Sequence, residues 1–163
     1  NIDFIFYPQL NYLYYNIPLL DRIIGINMIT LFYACVLTIL AIVLAFLTGR
    51  QRFKTQTNLG LGDDFSMLQI TRAHGNLLEN ALLFLILSFL LETAGQLSSI
   101  ALGVLGDIFI ISRIAHAYGI TRPEAKSIFR ALGTAGSVLV LSIQSIWGLV
   151  ISLSWLANNN WGF

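Results

Sequence analysis

The chain has 163 residues, of which 56% are hydrophobic and only 10% are charged. A soluble domain normally carries about 25% charged residues, so this chain cannot cover a globular surface with polar side chains, and lipid must be its main solvent. A formal net charge of +1 gives no basis for binding nucleic acid, and the single cysteine, Cys35, excludes a disulfide framework within the chain. We therefore expect one bundle of membrane-spanning helices.

The first segment, residues 1–25, is rich in aromatic residues and is interrupted by Pro8 and Pro18. It shows no clean helical or strand period. Aromatic rings with a polar edge favour the headgroup layer of a bilayer. We interpret it as an interfacial segment that lies on lipid or covers a partner, ahead of a transmembrane domain over residues 26–163.

Four stretches approach the length of about 20 apolar residues that a helix needs to span a bilayer. They are Ile26–Thr48, Leu77–Leu91, Leu97–Tyr118 and Ala131–Leu156. The second stretch is short, so we expect its helix to continue backward through residues 66–76, with Ser66 as N-cap and Asp63 and Asp64 near its positive end. Gly95 is predicted to stop this helix, which makes the second and third spans an antiparallel hairpin.

The basic residues are distributed unequally between the two sides of the predicted bundle. Arg22 falls on one side, and the other eight fall on the opposite side: Arg50, Arg52, Lys54, Arg72, Arg113, Arg122, Lys126 and Arg130. Basic loops remain in the cytoplasm. We therefore expect the loops at residues 49–65 and 119–129 to be cytoplasmic and both termini to face outward.

Several ionisable residues interrupt the spans, and each costs at least roughly 2.5–3.5 kcal/mol at a helix centre unless it is paired or has a function. At about 100° per residue, Asn76 and Glu79 lie about 40° and about 20° from Arg72, so the three share one stripe of the second span. Arg113 and His116 share a face of the third span. We expect the two faces to meet, with Glu79 and Arg113 as an ion pair.

Other polar residues of the spans face elsewhere. Asp107 is predicted to hydrogen-bond Gln144 or Ser142 of a neighbouring helix, with a proton relay as the alternative. His74 points about 200° away from the stripe, which disfavours a metal site shared with His116. Close packing between helices is predicted at a set of small residues: Gly103, Gly106, Ala131, Gly133, Ala135, Gly136 and Ser137.

The predicted cluster combines several cations with an amide and one carboxylate. Arginine binds carboxylates in a bidentate manner, and a glutamate accepts from an ammonium group. This chemistry suits a small zwitterionic, mostly anionic ligand such as an amino acid or a small acidic peptide. The alternative is a purely structural pair in which Glu79 and Arg113 pin two helices together.

The sequence TRAHGNLLEN at residues 71–80 resembles the signature of the MAPEG family, the membrane-associated proteins in eicosanoid and glutathione metabolism. The strings GRQRFK, GLGDD, SRIAHAYG and RALGTAGS recur in the family's order, so the resemblance extends over about residues 26–156 and is to a bacterial-type member. It implies an all-α, four-helix protomer that forms a homotrimer in the bacterial inner membrane. It also implies a glutathione site between protomers on the cytoplasmic side.

The resemblance also implies roles for individual residues. Glutathione contacts are implied at six positions: Arg52, Arg72, Asn76, Glu79, Arg113 and His116. Arg130 matches the arginine that supports the glutathione thiolate in catalytic members. Two positions depart from the family pattern, because Gly75 stands where well-studied eukaryotic members carry an arginine and Ile120 stands where a tyrosine is expected.

These features predict an integral membrane, glutathione-dependent transferase or peroxidase that acts on lipophilic electrophiles or hydroperoxides. The thiolate of glutathione is then the nucleophile, so the protein itself needs no serine, cysteine or metal chemistry. The alternative is a non-enzymatic trimeric binding or scaffold protein that keeps a pocket for a small acidic ligand or a lipid. A transporter or channel is disfavoured, because few polar residues could line a path through each protomer.

Overall fold

The computed structural model describes residues 28–94, 97–123 and 127–159, so the predicted interfacial segment at residues 1–25 and the predicted stop at Gly95 lie outside the described residues. Within these ranges the chain forms four helices: α1 (Met28–Thr55), α2 (Phe65–Thr93), α3 (Ser99–Ile120) and α4 (Ile128–Asn158). All four are long and apolar enough to cross a membrane. The predicted all-α fold with four spans is confirmed.

The second helix begins well before its apolar run, as predicted. Its N-cap is Asp64 rather than Ser66, and the Asp64 carboxylate accepts from the Met67 amide at 2.6 Å. A carboxylate both accepts this bond and neutralises the positive end of the helix, which a serine hydroxyl does not do. At 1.5 Å per residue, α2 is about 43 Å long, so its first turns extend beyond the hydrocarbon.

The helices α2 and α3 occupy the centre of the protomer. The helix α4 packs along α3 and touches α2, whereas α1 packs along α2 and touches α3. Within the described ranges, α1 and α4 do not contact each other. Stacked rings of Phe84 and Phe109, both fully buried, fill the middle with centroids 4.2 Å apart. Large apolar side chains cover the outer surface, where Cys35 is also exposed.

Glycine allows two close approaches between helices. A Cβ atom at Gly133 would strike the backbone of Ser112 and His116, and one at Gly106 would strike the ring of Tyr33. The predicted close packing is therefore confirmed at these positions, and Ser137 is fully buried beside them. The predicted packing positions Ala131 and Ala135 are instead exposed on the outer face of α4, so they do not pack inside the protomer.

The N-terminus of α1 is held by a carboxylate from another helix. The two oxygens of Glu92, near the end of α2, accept from the amides of Ile29 at 3.0 Å and Thr30 at 2.9 Å. The first amides of a helix have no partner within the helix. Glu92 is buried, so it joins α2 to the positive end of α1 through charge-assisted hydrogen bonds.

The predicted partner of Asp107 is wrong. Asp107 accepts from the Tyr33 hydroxyl at 2.8 Å, and the same hydroxyl lies 2.6 Å from the carbonyl of Gly103. Gln144 donates instead to the Ser88 hydroxyl at 2.8 Å, and both of these side chains are fully buried. The prediction failed because α3 turns Asp107 toward α1 rather than toward α4, an orientation that spacing along one helix does not determine.

Removing the carboxylate of Glu92 is expected to destabilise the bundle. Glu92→Ala leaves the buried amide of Thr30 and the partly buried amide of Ile29 without acceptors, and hydrogen bonds to a charged group contribute about 2 kcal/mol. Thermal unfolding in detergent, followed by circular dichroism, measures the change. Glu79→Gln is the matched control, since it removes a negative charge from an exposed position of the same helix. Equal melting temperatures for both variants would contradict the role of Glu92.

A methyl group at Gly133 is expected to force α4 away from α3. Gly133→Ala should cost about 2 kcal/mol, because the neighbouring atoms belong to backbone that cannot rotate away. Gly148→Ala is the control, because nothing lies within 4 Å of the added atom. It should be neutral or stabilising by up to about 1 kcal/mol. The same melting experiment compares them, and an unchanged Gly133→Ala protein would refute the close approach.

Candidate functional site

The predicted faces of α2 and α3 do meet. The side-chain nitrogen of Asn76 lies 3.3 Å from Nε2 of His116. Nη1 of Arg113 donates to the backbone carbonyl of Asn76 at 3.4 Å. Arg113 is 3% exposed and His116 is 7% exposed. The structure therefore brings three of the sequence-predicted site residues together near one end of the bundle.

The buried cation of Arg113 is held by neutral groups. Its Nη2 donates to the Gly133 carbonyl at 2.8 Å, and its guanidinium carbon lies 5.8 Å from the centre of the Phe109 ring. Within the described ranges its Nε has no hydrogen-bond partner. Carbonyl dipoles and a ring face favour the cation without neutralising it. The positive charge of Arg113 thus remains next to the contact between Asn76 and His116.

The predicted ion pair between Glu79 and Arg113 is wrong for the single chain. Among the described residues, Arg113 bonds only to carbonyls, and the exposed Glu79 makes neither a hydrogen bond nor an ion pair. The reason is geometric. Asn76 faces α3, and Glu79 lies about 60° further round α2, which carries its carboxylate onto the protein surface.

A chain of hydrogen bonds fixes the state of the His116 ring. The Thr134 hydroxyl donates its one hydrogen to the Arg130 carbonyl at 2.9 Å, so toward His116 Nδ1, 3.0 Å away, it acts as acceptor. These contacts favour the tautomer in which Nδ1 carries the proton and Nε2 accepts from the Asn76 amide. The oxygen of the Asn76 side chain remains available to a donor on a ligand.

Arg130 lies at the outer edge of this network. Its side chain and Thr134 line a groove of about 700 Å³ on the exposed face of α4, together with Ala131 and Ala135. Arg72, on the same stripe of α2 as Asn76, is also exposed and makes no hydrogen bond or ion pair within the described parts of the chain. The polar network of the interior therefore reaches a surface that presents further cations.

Arg52 does not join this cluster within one chain. Its Nη1 donates to the Gly60 carbonyl at 3.1 Å, which holds the loop between α1 and α2 against the end of α1. Since α1 and α4 are not in contact in the described structure, Arg52 and Arg130 lie on different sides of the protomer. Both nevertheless belong to the same end of the antiparallel bundle.

His74 lies away from the site, as the helical spacing predicted. It lines a largely apolar groove between α1 and α2 beside Thr38 and Leu77. Among the described residues, no three histidine, cysteine or carboxylate side chains are grouped as metal ligands. At the two positions that depart from the family pattern, a Cβ on Gly75 would meet nothing within 4 Å, whereas Ile120 is buried in the core.

Two contributors to the site escaped prediction from the sequence. The first is the carbonyl of Gly133, which is visible only once the packing of α3 on α4 is known. The second is Thr134, which lies four residues after Arg130 in RALGT. A threonine inside an apolar helix commonly bonds the carbonyl four residues back, and that spacing was a usable signal.

We expect Thr134→Val to loosen the His116 ring. The remaining acceptor for Nδ1 is the Arg130 carbonyl at 3.4 Å, a longer contact, so the population with a protonated Nδ1 should fall and the free energy of unfolding should drop by about 1 kcal/mol. Imidazole ¹⁵N NMR reports the tautomer, and thermal unfolding reports the stability. Thr134→Ser keeps the hydroxyl group, so it should keep both the tautomer and the melting temperature of the parent. If Thr134→Val changes neither of them, the hydrogen bond between Thr134 and His116 does not have this role.

Sequence comparison places the chain in a family. No curated protein matches it, but the sequence pattern of the MAPEG family matches residues 30–150. That match runs from α1 to α4 and includes the whole candidate site. The chain therefore belongs to the MAPEG family.

Proposed function

We propose that this integral membrane protein is a glutathione-dependent transferase or peroxidase that acts on lipophilic electrophiles or hydroperoxides. Membership of the MAPEG family supports a role of the glutathione-transferase or eicosanoid-metabolism type at family level. The observation that carries the proposal further is the unneutralised Arg113 cation beneath the Asn76–His116 contact. A buried positive charge without a carboxylate partner favours an anionic ligand.

The charges around the cluster fit the ligand's functional groups. Glutathione carries two carboxylates, one ammonium group and a thiol. Arg72 and Arg113 supply cations for the carboxylates, and the exposed Glu79 supplies an acceptor for the ammonium group. The free oxygen of Asn76 accepts from a peptide N–H. Because arginines outnumber carboxylates at this end of the bundle, the site selects a ligand that is negative overall.

A homotrimer would complete the site. Arg52 and Arg130 are separated within one protomer, because α1 and α4 do not touch in the described structure. A second copy that sets its α1 beside the exposed face of α4 would bring its own Arg52 to the groove that Arg130 and Thr134 line. The exposed alanines of that face, Ala131 and Ala135, leave room for the backbone of a neighbouring helix.

In the proposed reaction the protein contributes binding and electrostatics. Arg130 favours the glutathione thiolate over the thiol. With an electrophile, the thiolate sulfur forms a bond to carbon as the leaving group departs with its electron pair. With a hydroperoxide, the sulfur attacks the outer oxygen and the O–O bond breaks. A second glutathione then completes the reaction, so two glutathiones and one hydroperoxide give glutathione disulfide, an alcohol and water.

A second candidate function is a non-enzymatic binding or scaffold protein that keeps the same pocket for another acidic ligand or a lipid. Ile120 favours it, because this buried apolar side chain offers no hydroxyl group to a ligand. Both candidates share a site at the end of the bundle that carries the basic loops. We propose that this end is cytoplasmic and that the membrane is the bacterial inner membrane, because basic residues concentrate there.

Glutathione binding and thiolate formation test the first candidate directly. The purified protein should show ultraviolet thiolate absorbance and a higher melting temperature when glutathione is added, and it should conjugate a general aromatic electrophile. Arg130→Ala should reduce turnover by about 100-fold, as loss of one charge-stabilising group does, and should reduce binding much less. Arg130→Lys keeps the positive charge but not the planar guanidinium, so its turnover should lie between that of the parent and that of Arg130→Ala.

Arg122→Gln is the matched control. Its guanidinium lies 4.2 Å above the Tyr118 ring, outside the cluster, so turnover should stay within about twofold of the parent, as surface changes normally do. If the parent protein shows no thiolate signal and no stabilisation by glutathione, it is not a glutathione enzyme. Stabilisation without conjugation or peroxidase turnover would favour the scaffold candidate.

A further inference from the structure

A second polar groove lies at the same end of the bundle, inside one protomer. Its volume is about 510 Å³, and it is bounded by the last turns of α1, the first two turns of α2, and Thr121 and Pro123 after α3. None of the residues predicted to bind glutathione lines it. The family match and the polar cluster around His116 therefore leave it unexplained.

Two cations stand on one wall of this groove. Arg50 and Lys54 are four residues apart on α1, so their side chains share one face. Neither forms a hydrogen bond or an ion pair with any part of the chain that the structure describes. Ser66 adds a hydroxyl group on the opposite wall. The groove thus presents positive charge and a hydrogen-bond donor that the protomer itself does not use.

The groove is formed before any ligand arrives. Gln69 of α2 donates to the Arg122 carbonyl at 2.6 Å, which ties α2 to the segment after α3. Gln51 of α1 lies 3.4 Å from the Asp64 carboxylate, which ties α1 to the start of α2. Among the described residues, Asp64 forms hydrogen bonds with the Met67 amide and with Gln51 but no ion pair with Arg50 or Lys54.

The lower part of the groove is apolar. Leu47, about one turn before Arg50 on α1, and Ile70, in the second turn of α2, line it on the side nearer the apolar spans. The charge-free run of α1 ends at Thr48, so at 1.5 Å per residue Arg50 and Lys54 stand about 3 Å and about 9 Å beyond it. The headgroup layer of a bilayer is about 5–8 Å thick on each side. Arg50 therefore lies within the headgroup layer, at the depth of lipid phosphates, and Lys54 stands just beyond its outer edge, from where its long side chain can reach back toward a phosphate. Leu47 precedes Thr48 on α1 and lies at the depth of the first chain carbons.

We propose that this groove binds the headgroup of an anionic phospholipid, with the phosphate between Arg50 and Lys54 and the glycerol end of the acyl chains on the apolar floor. A free phosphate ion would use the cations but would leave the floor exposed to water. The amphipathic lining therefore favours the lipid. This proposal does not depend on glutathione chemistry.

Lipid retention in detergent tests the proposal. Native mass spectrometry of the purified protein, titrated with phosphatidylglycerol and separately with phosphatidylcholine, gives an apparent affinity for each. The parent should retain phosphatidylglycerol preferentially. Each cation near an anionic headgroup accounts for about a fivefold difference in affinity, so the double variant Arg50→Gln/Lys54→Gln should bind phosphatidylglycerol about 30-fold more weakly. Its affinity for phosphatidylcholine, whose phosphate charge is offset by the ammonium group of choline, should fall much less.

Control variants distinguish specific binding in this groove from general attraction of lipid to a positively charged surface. Arg122→Gln removes a cation from the same end of the bundle but outside the groove lining, so it should keep the preference for phosphatidylglycerol. Equal losses in Arg122→Gln and the single variant Arg50→Gln would overturn the proposal. The proposal would also be overturned if millimolar inorganic phosphate raised the melting temperature of the parent as much as phosphatidylglycerol does. If the double variant does not fold, the single variants Arg50→Gln and Lys54→Gln must each lose about fivefold.

Discussion

The close approach of α3 and α4 at Gly133 determines most of what surrounds the polar cluster. Without a side chain at this position, the backbone of α4 lies directly against Ser112 and His116. That distance brings the Gly133 carbonyl within 2.8 Å of the Arg113 guanidinium and the Thr134 hydroxyl within 3.0 Å of the His116 ring. The hydrogen bonds of the site thus follow from one steric condition on a pair of helices rather than from attraction between charges.

This arrangement changes the electrostatic character of the site. Had Glu79 paired with Arg113, the interior would be neutral and a ligand would meet a satisfied ion pair. Carbonyl oxygens hold the cation in place but leave its charge uncompensated, and burial strengthens its field at the cluster. Glu79, at the surface, remains available to a ligand. An angle of about 60° between Asn76 and Glu79 on α2 therefore separates a structural salt bridge from a cluster whose cation keeps its charge.

Much of the fold could be predicted from the sequence, because lipid imposes a length and a composition on every span. The four helices, the long α2 and the meeting of Asn76 with His116 all follow from apolar runs and helical spacing. The errors arose wherever the answer depended on how one helix is rotated against another. Glu79 turned outward, and Asp107 met Tyr33 instead of α4. The bond from the Ile29 amide to Glu92, 63 residues later in the chain, was not predicted at all. Periodicity along a single helix carries no information about these rotations.

The two polar regions at the basic end of the bundle obey different physical demands. Around His116, Asn76 and Thr134 bond both ring nitrogens, and Nε of Arg113 is left without a partner among the residues that the structure describes. In the groove beside α1 the walls are tied by Gln69 and Gln51, whereas Arg50 and Lys54 form no hydrogen bond or ion pair with the described parts of the chain. Cations at the depth of lipid phosphates have an abundant partner in the bilayer itself, and evolution of an internal carboxylate for them is unnecessary. A buried cation such as Arg113 lies away from the bilayer surface, and among the described residues only carbonyl oxygens and a ring face hold it.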